Sequence, residues 1–227
     1  GGRHDRTRDG RRERREFRLY ATQTGLRDLT LKMANKLTRD DLLPLETYHE
    51  QRAQMRRDVM AHKALRKVFI GVHAALYFED RVTVQYQIQE MLRVERIFQR
   101  DAIEEELAAY NPLIPDGDNF KATFMIEYDD VEERRVALAS MQGIEDTVWL
   151  RAGEGEAVFA IADEDLERSN ERKTSAVHFL RFQLDSITIG ALKRGEPLAM
   201  GIAHDSYRHE VSPVSLETCA ALVADLA

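Results

Sequence analysis

The stretch from Arg81 to Tyr128 constrains the fold of this chain most tightly, because helix, stop, turn and strand signals follow one another there without a gap. Residues 82–89 alternate apolar and polar side chains with period two, which alone argues strand. Asp80 can cap a helix, however, and the Glu-Met-Leu-Arg run behind it continues without a breaker, so helix is the expectation. A second helix, 101–110, stops at Asn111-Pro112, and after the Asp116-Gly-Asp-Asn119 turn residues 121–128 read as a strand. At roughly 100° per residue, Val84, Ile88, Met91 and Phe98 share one face of the first helix. Glu95 falls in the middle of that face. A carboxylate there has to be paired, hydrogen-bonded, metal-bound or protonated, because burying an isolated charge is too costly.

The flanking segments extend the same reading. Thr38-Arg-Asp-Asp41 is an N-cap pattern, and helix fits from about Pro44 to Leu65 with Leu45, Tyr48, Met55 and Val59 on one side. Short strands are expected at 68–72 and 74–78. In the second half, Asp130 caps a helix that stops at Gly143, and 147–151 pairs with 157–161 across Gly153-Glu-Gly155. A short polar helix is expected over 165–172, then a strand over 175–184 that is apolar on both faces and so suits a covered sheet. A helix over 187–193, strands at 198–203 and 209–211, and a terminal helix capped by Ser215 complete the order. The fold class implied is α+β: a mostly antiparallel sheet, a helical N-terminal third and flanking helices.

Composition bounds the function. The chain has 227 residues, of which 43% are hydrophobic and 32% charged, enough for a core and a well-solvated surface. No apolar run approaches a membrane span, so no membrane partner is expected. One cysteine, Cys219, excludes an intramolecular disulfide framework and points to a reducing cytoplasm. Residues 1–32 carry ten Lys and Arg against five Asp and Glu, while the remainder is acidic. This arm lacks the aromatic interleaving of a single-strand binder, so no nucleic-acid partner is expected. It reads as a basic, disordered or non-native extension ahead of Met33, with a single domain over 33–227.

Three residues make up the candidate ligand or metal site: Glu90 and Glu95 on the first of the two helices, and His178 on the long strand. Each has a plainer alternative. Glu95 suits a buried pair with Arg96 or another arginine, and His178, sharing its face with Ala176, Leu180 and Phe182, suits a core histidine with one partner. Glu46-Thr-Tyr-His49 has the spacing of a carboxylate di-iron ligand pair but lacks the second copy such bundles need. His204 and His209 bracket a turn with Asp205 and Glu210, a weak chelate at most. No phosphate loop, dinucleotide fingerprint or nucleophile elbow is present, and nothing in the sequence requires a cofactor.

The blocks QIQEMLRVERIF (87–98), EELAAYNPLIPDGDNFKATFMIEY (105–128), GIEDTVWL (143–150), IADEDLER (161–168) and KTSAVHFLRFQL (173–184) resemble the bacterial family called domain of unknown function 3501. The resemblance spans nearly all of 35–227. It implies an accessory protein that partners a non-haem iron, rubrerythrin-like redox or peroxide system in the cytoplasm. It transfers no catalytic residue. The second reading is a small metal- or ligand-binding enzyme built on a buried carboxylate and histidine, with non-haem iron or another divalent metal as its cofactor.

Overall fold

The computed structural model describes residues 36–164, 166, 168–169 and 173–227. The N-terminal extension, 1–32, lies outside the described residues. So do five positions of the short helix expected at 165–172, whose described members Leu166, Arg168 and Ser169 are not helical.

Among the described residues, nine strands form two antiparallel sheets. The larger runs β1 (Lys67–Phe69), β2 (Ala74–Phe78), β3 (Asn119–Ile126), β7 (Val177–Gln183) and β6 (Ile161–Ala162), neighbours in that order. The smaller runs β5 (Val158–Phe159), β4 (Val148–Ala152), β8 (Leu198–His204) and β9 (Tyr207–Val211). Six helices accompany them: α1 (Leu45–Ala64), α2 (Arg81–Glu95), α3 (Arg100–Tyr110), α4 (Val131–Ser140), α5 (Ser186–Lys193) and α6 (Leu216–Val223). This is the α+β class the sequence implies. No described helix is long and apolar enough to cross a membrane.

Strand alternation builds two cores on opposite faces of the larger sheet. Phe120, Ala122 and Phe124 of β3, with Leu180 and Phe182 of β7, meet Val148, Leu150, Met200 and Ile202 of the smaller sheet. On the other face, Phe179 of β7 joins Val84, Ile88 and Leu92 of α2 and Leu107 and Tyr110 of α3. The layers are therefore helices, sheet and sheet. The most buried strand is β3, paired on both sides, with β7 beside it.

Local signals explain most boundaries. Asp80 accepts from Thr83 N–H while the Thr83 hydroxyl bonds back, a reciprocal cap that overrides the period-two pattern of 82–89 and starts α2. Asp130, Asp185 and Ser215 cap α4, α5 and α6 by accepting hydrogen bonds from first-turn N–H groups. The expected hairpin is β4–β5, with Trp149 opposite Phe159.

One boundary that differs bears on the expected site. Helix α2 ends at Glu95, because Arg96 adopts a left-handed conformation (φ 55°) and Ile97 N–H closes onto Leu92 C=O. Phe98 is thus outside the helix and two-thirds exposed, and Glu95 is exposed rather than inward-facing. The buried Glu95 of the helical projection is corrected by that single left-handed residue.

Candidate functional site

The three residues expected to form one site do not share partners. Glu90 lies between α1 and α2, where its carboxylate accepts from Tyr48 Oη at 2.6 Å, from Arg52 at 2.7 and 2.8 Å and from Arg93 at 3.1 and 3.2 Å. Burial alone would raise this carboxyl, but the Arg52, Arg93 and Tyr48 hydrogen bonds outweigh it and hold it at about 2. The same carboxylate pushes the buried Tyr48 phenol up. Glu90 is a helix–helix clamp, saturated by its own cations. Glu95 sits on the surface at the end of α2.

His178 has other company. It is fully buried on β7, opposite Phe124 of β3, with its ring toward the space between the two sheets. Its Nδ1 lies 2.6 Å from Asp163 Oδ2 and its Nε2 lies 2.9 Å from Thr174 Oγ1 and 3.7 Å from Glu145 Oε2. The topology supplies these neighbours. Asp163 directly follows β6, which pairs with β7, and holds a left-handed conformation (φ 48°). Glu145 comes from the 3-10 turn Ile144–Thr147 ahead of β4, and Thr174 is tied by its N–H to Leu138 C=O of α4.

The hydrogen bonds fix the roles of the polar atoms. Asp163 Oδ1 accepts from Phe179 N–H and from Arg168 Nη1, each at 3.0 Å, and the Arg168 guanidinium lies over the Phe179 ring. The Thr174 hydroxyl donates to Glu145 Oε2 at 3.0 Å, and Ser169 Oγ bonds Glu145 Oε1. His178 Nε2 also faces Ser175 C=O at 3.1 Å, so both ring nitrogens have polar partners. Glu145, Asp163 and His178 each bring a ligand atom to within 4.8 Å of the others. Their field reaches outward: the Asp146 carboxyl is raised by partial burial and by the Glu145 and Asp163 charges, against the lowering effect of His178.

Other polar groups are structural. Arg66, almost fully buried, bonds the carbonyls of Phe78, Glu79 and Ala221 and the Asp225 carboxylate, tying α6 to the start of the larger sheet. Lys121 Nζ and Lys36 Nζ both reach Asp116, whose carboxyl burial would raise and the two lysines pull well below the usual range. Glu46 and His49 are exposed on α1, and His204 bonds Gln142 C=O. Cys219 is partly buried against the inter-sheet core, which pushes its thiol up.

Sequence reasoning found His178 but missed Glu145, Asp163, Arg168, Ser169 and Thr174. The available signal was indirect: a histidine on an otherwise apolar strand needs two polar partners, and no residue on its own strand could supply them.

The matched family model covers residues 36–226 and is described as a protein of unknown function, DUF3501. The chain belongs to this family. A crystal structure of a novel protein of unknown function from Burkholderia pseudomallei, at 1.90 Å resolution, is similar to it. Identity is 50%, the match covers 85% of this chain and all of that one, and the TM-score is 0.79. No curated protein matches. Family membership supplies the fold, and the chemistry has to be argued from the His178 cluster.

Proposed function

We propose that this chain is a divalent-metal-binding protein whose metal-holding side chains are His178 and Glu145, with Asp163 orienting the imidazole. One observation carries this reading: His178 Nε2 and Glu145 Oε2 stand 3.7 Å apart while Asp163 clamps Nδ1 at 2.6 Å. Two ligands about 2.0–2.2 Å from one ion lie roughly 3.3–3.6 Å apart at the tetrahedral angle, close to this separation. A carboxylate on the far nitrogen is how proteins fix the tautomer of a ligating histidine.

Charge supports the same reading. Among the described residues, two buried carboxylates, Glu145 and Asp163, face the Arg168 guanidinium and the His178 imidazole. The neutral Thr174 and Ser169 hydroxyls offer further oxygens beside Glu145. The accessory role beside iron-dependent redox chemistry rests on the resemblance alone and names no residue to test. The metal reading does.

Metal analysis of untagged protein, with thermal unfolding during titration of zinc, manganese and ferrous iron, tests it. Stoichiometric metal is expected, and bound metal should raise the melting temperature. His178→Gln and Glu145→Gln should lose the metal, Asp163→Asn should weaken it roughly 10–100-fold, and Glu90→Gln should retain it. Metal-free protein that no cation stabilises would overturn the proposal. So would His178→Gln protein that is less stable yet keeps its metal, which would make the histidine a core residue.

A further inference from the structure

The edges of the two sheets are not equally guarded. Among the described residues the larger sheet ends in β1 and β6, and the smaller in β5 and β9. Strands β1, β5 and β6 have three, two and two residues, too short to template another strand. Strand β9 has five, and its register on β8 runs unbroken from Tyr207 opposite His204 to Val211 opposite Met200. It carries no proline and no bulge, two of the devices that blunt an edge. Arg208, His209 and Glu210 in its middle are exposed.

The backbone of β9 has a definite polarity. The β8–β9 hairpin closes over Asp205 and Ser206, and the residues that flank a two-residue turn, here His204 and Tyr207, form a hydrogen-bonded pair. Alternation along the ladder then turns the N–H and C=O of Tyr207, His209 and Val211 towards β8, and those of Arg208 and Glu210 outward. The side chains of Arg208 and Glu210 share one face of the strand. Their present ion pairs are loose and exposed: Glu210 lies 3.6 Å from Arg151, and Arg208 lies 3.4 Å from Asp205.

We infer that a second copy of this chain docks on β9, strand to strand and antiparallel, about a two-fold axis at His209. Arg208 then faces the partner's Glu210, and Glu210 faces the partner's Arg208. Both are outward-directed positions, so each facing pair exchanges both of its N–H···O=C bonds, and the smaller sheet continues from one protomer into the next. Charge selects the occupant. Backbone polarity also allows a slip of two residues, but a slip in either direction sets Arg208 against the partner's Arg208 or Glu210 against the partner's Glu210, which is repulsive. The full-length register alone is complementary, and an isologous contact uses the one Arg–Glu order twice. Charges that guard an edge against other strands thus admit a copy of this one. The inference uses no residue of the metal proposal.

Sedimentation equilibrium of the full chain over a wide concentration range tests it. A monomer–dimer equilibrium is expected. Arg208→Glu and Glu210→Arg each set like charges opposite one another at both facing positions, and should weaken dimerisation by on the order of tenfold or more. The double variant Arg208→Glu/Glu210→Arg reverses the order and should restore the dimer. An equimolar mixture of the two single variants should dimerise at concentrations where neither does alone. Glu210→Pro removes an outward N–H while leaving the β8 ladder whole, and should weaken the dimer more than Glu210→Ala. Both positions are exposed, and an unchanged melting temperature in dilute solution shows that each variant folds. A chain that stays monomeric throughout overturns the inference, as does a dimer indifferent to Arg208→Glu. So does a folded double variant that stays monomeric, or a Glu210→Pro protein that dimerises as well as Glu210→Ala. Assembly beyond the dimer overturns it too, because an isologous edge contact closes on itself.

Discussion

Two carboxylate centres, one half-buried and one buried, sit on opposite faces of the larger sheet, and they are built on opposite logic. At Glu90 one carboxylate meets two arginines and a phenol, all from two adjacent helices, so local charge is more than balanced. At His178 two carboxylates meet the Arg168 guanidinium and the imidazole, drawn from a turn, two strands and the loop between them. The first arrangement is finished: every acceptor has a cationic donor and a further cation would be repelled. The second brings an imidazole nitrogen and a carboxylate oxygen, His178 Nε2 and Glu145 Oε2, to 3.7 Å of each other. Burial of acidic groups therefore does not mark a metal site. What recommends the His178 cluster for the proposed metal role is the approach of Glu145 to Nε2 while Asp163 holds Nδ1.

The sharpest way to break this comparison is Asp163→Asn. Asp163 is nearly buried and serves His178, Arg168 and Phe179 N–H together, so losing its charge weakens a buried ion pair and unlocks the ring. Breaking one side of such a pair costs about 3–5 kcal/mol, measurable by urea unfolding of metal-free protein. A cost under about 1 kcal/mol, typical of an exposed pair, would place the cluster in solvent and remove the contrast with Glu90.

Thr174→Val sharpens it further. The buried hydroxyl bridges His178 and Glu145, and deleting it should cost about 1–3 kcal/mol because both partners lose a hydrogen bond. Metal stoichiometry should survive, since the proposed ligands remain. Loss of metal together with stability would make Thr174 itself a ligand.

Glu90→Gln tests the other centre. Its cost should be smaller, about 1–2 kcal/mol after allowance for solvent screening, because Arg52 and Arg93 are about one-third exposed and can rehydrate. The pH dependence has a definite sign. The folded-state carboxyl is depressed from 4.5 to about 2, so its contribution is complete above 4.5 and is lost as pH falls towards 2. Wild type and Glu90→Gln should therefore differ in stability at neutral pH and converge across that window. A difference that stays constant down to pH 2 would mean that packing, not charge, holds the clamp.

Much of the architecture is legible in the residues themselves. Asp80, Asp130 and Ser215 announce their helices, and Gly153-Glu-Gly155 announces the β4–β5 hairpin, because capping and turn chemistry act within a few residues. The end of α2 is not legible. An arginine in the left-handed region carries no glycine or asparagine signal, and tertiary packing imposes it. The site is half legible for a related reason. His178 stands out on an apolar strand, but Glu145 and Asp163 are brought to it by the β6–β7 pairing and the turn before β4, contacts that no local pattern encodes.

The smallest expected effect belongs to the residue that sequence periodicity made most prominent. Projected onto an unbroken helix, Glu95 lies among Ile88, Met91 and Phe98, and neutralising it there would cost as much as Asp163→Asn. In the structure the helix ends at that residue, the side chain is exposed, and Phe98 has swung out to the surface. Glu95→Ala should therefore change stability by no more than about 0.5 kcal/mol, as for surface substitutions generally. Gly at position 96 should be neutral or slightly stabilising, because glycine adopts the left-handed conformation that Arg96 holds at φ 55°. A loss of several kcal/mol in Glu95→Ala would restore the inward-facing carboxylate and abolish the left-handed turn. The two variants thus test one backbone conformation from opposite sides: the side chain it exposes and the dihedral that exposes it.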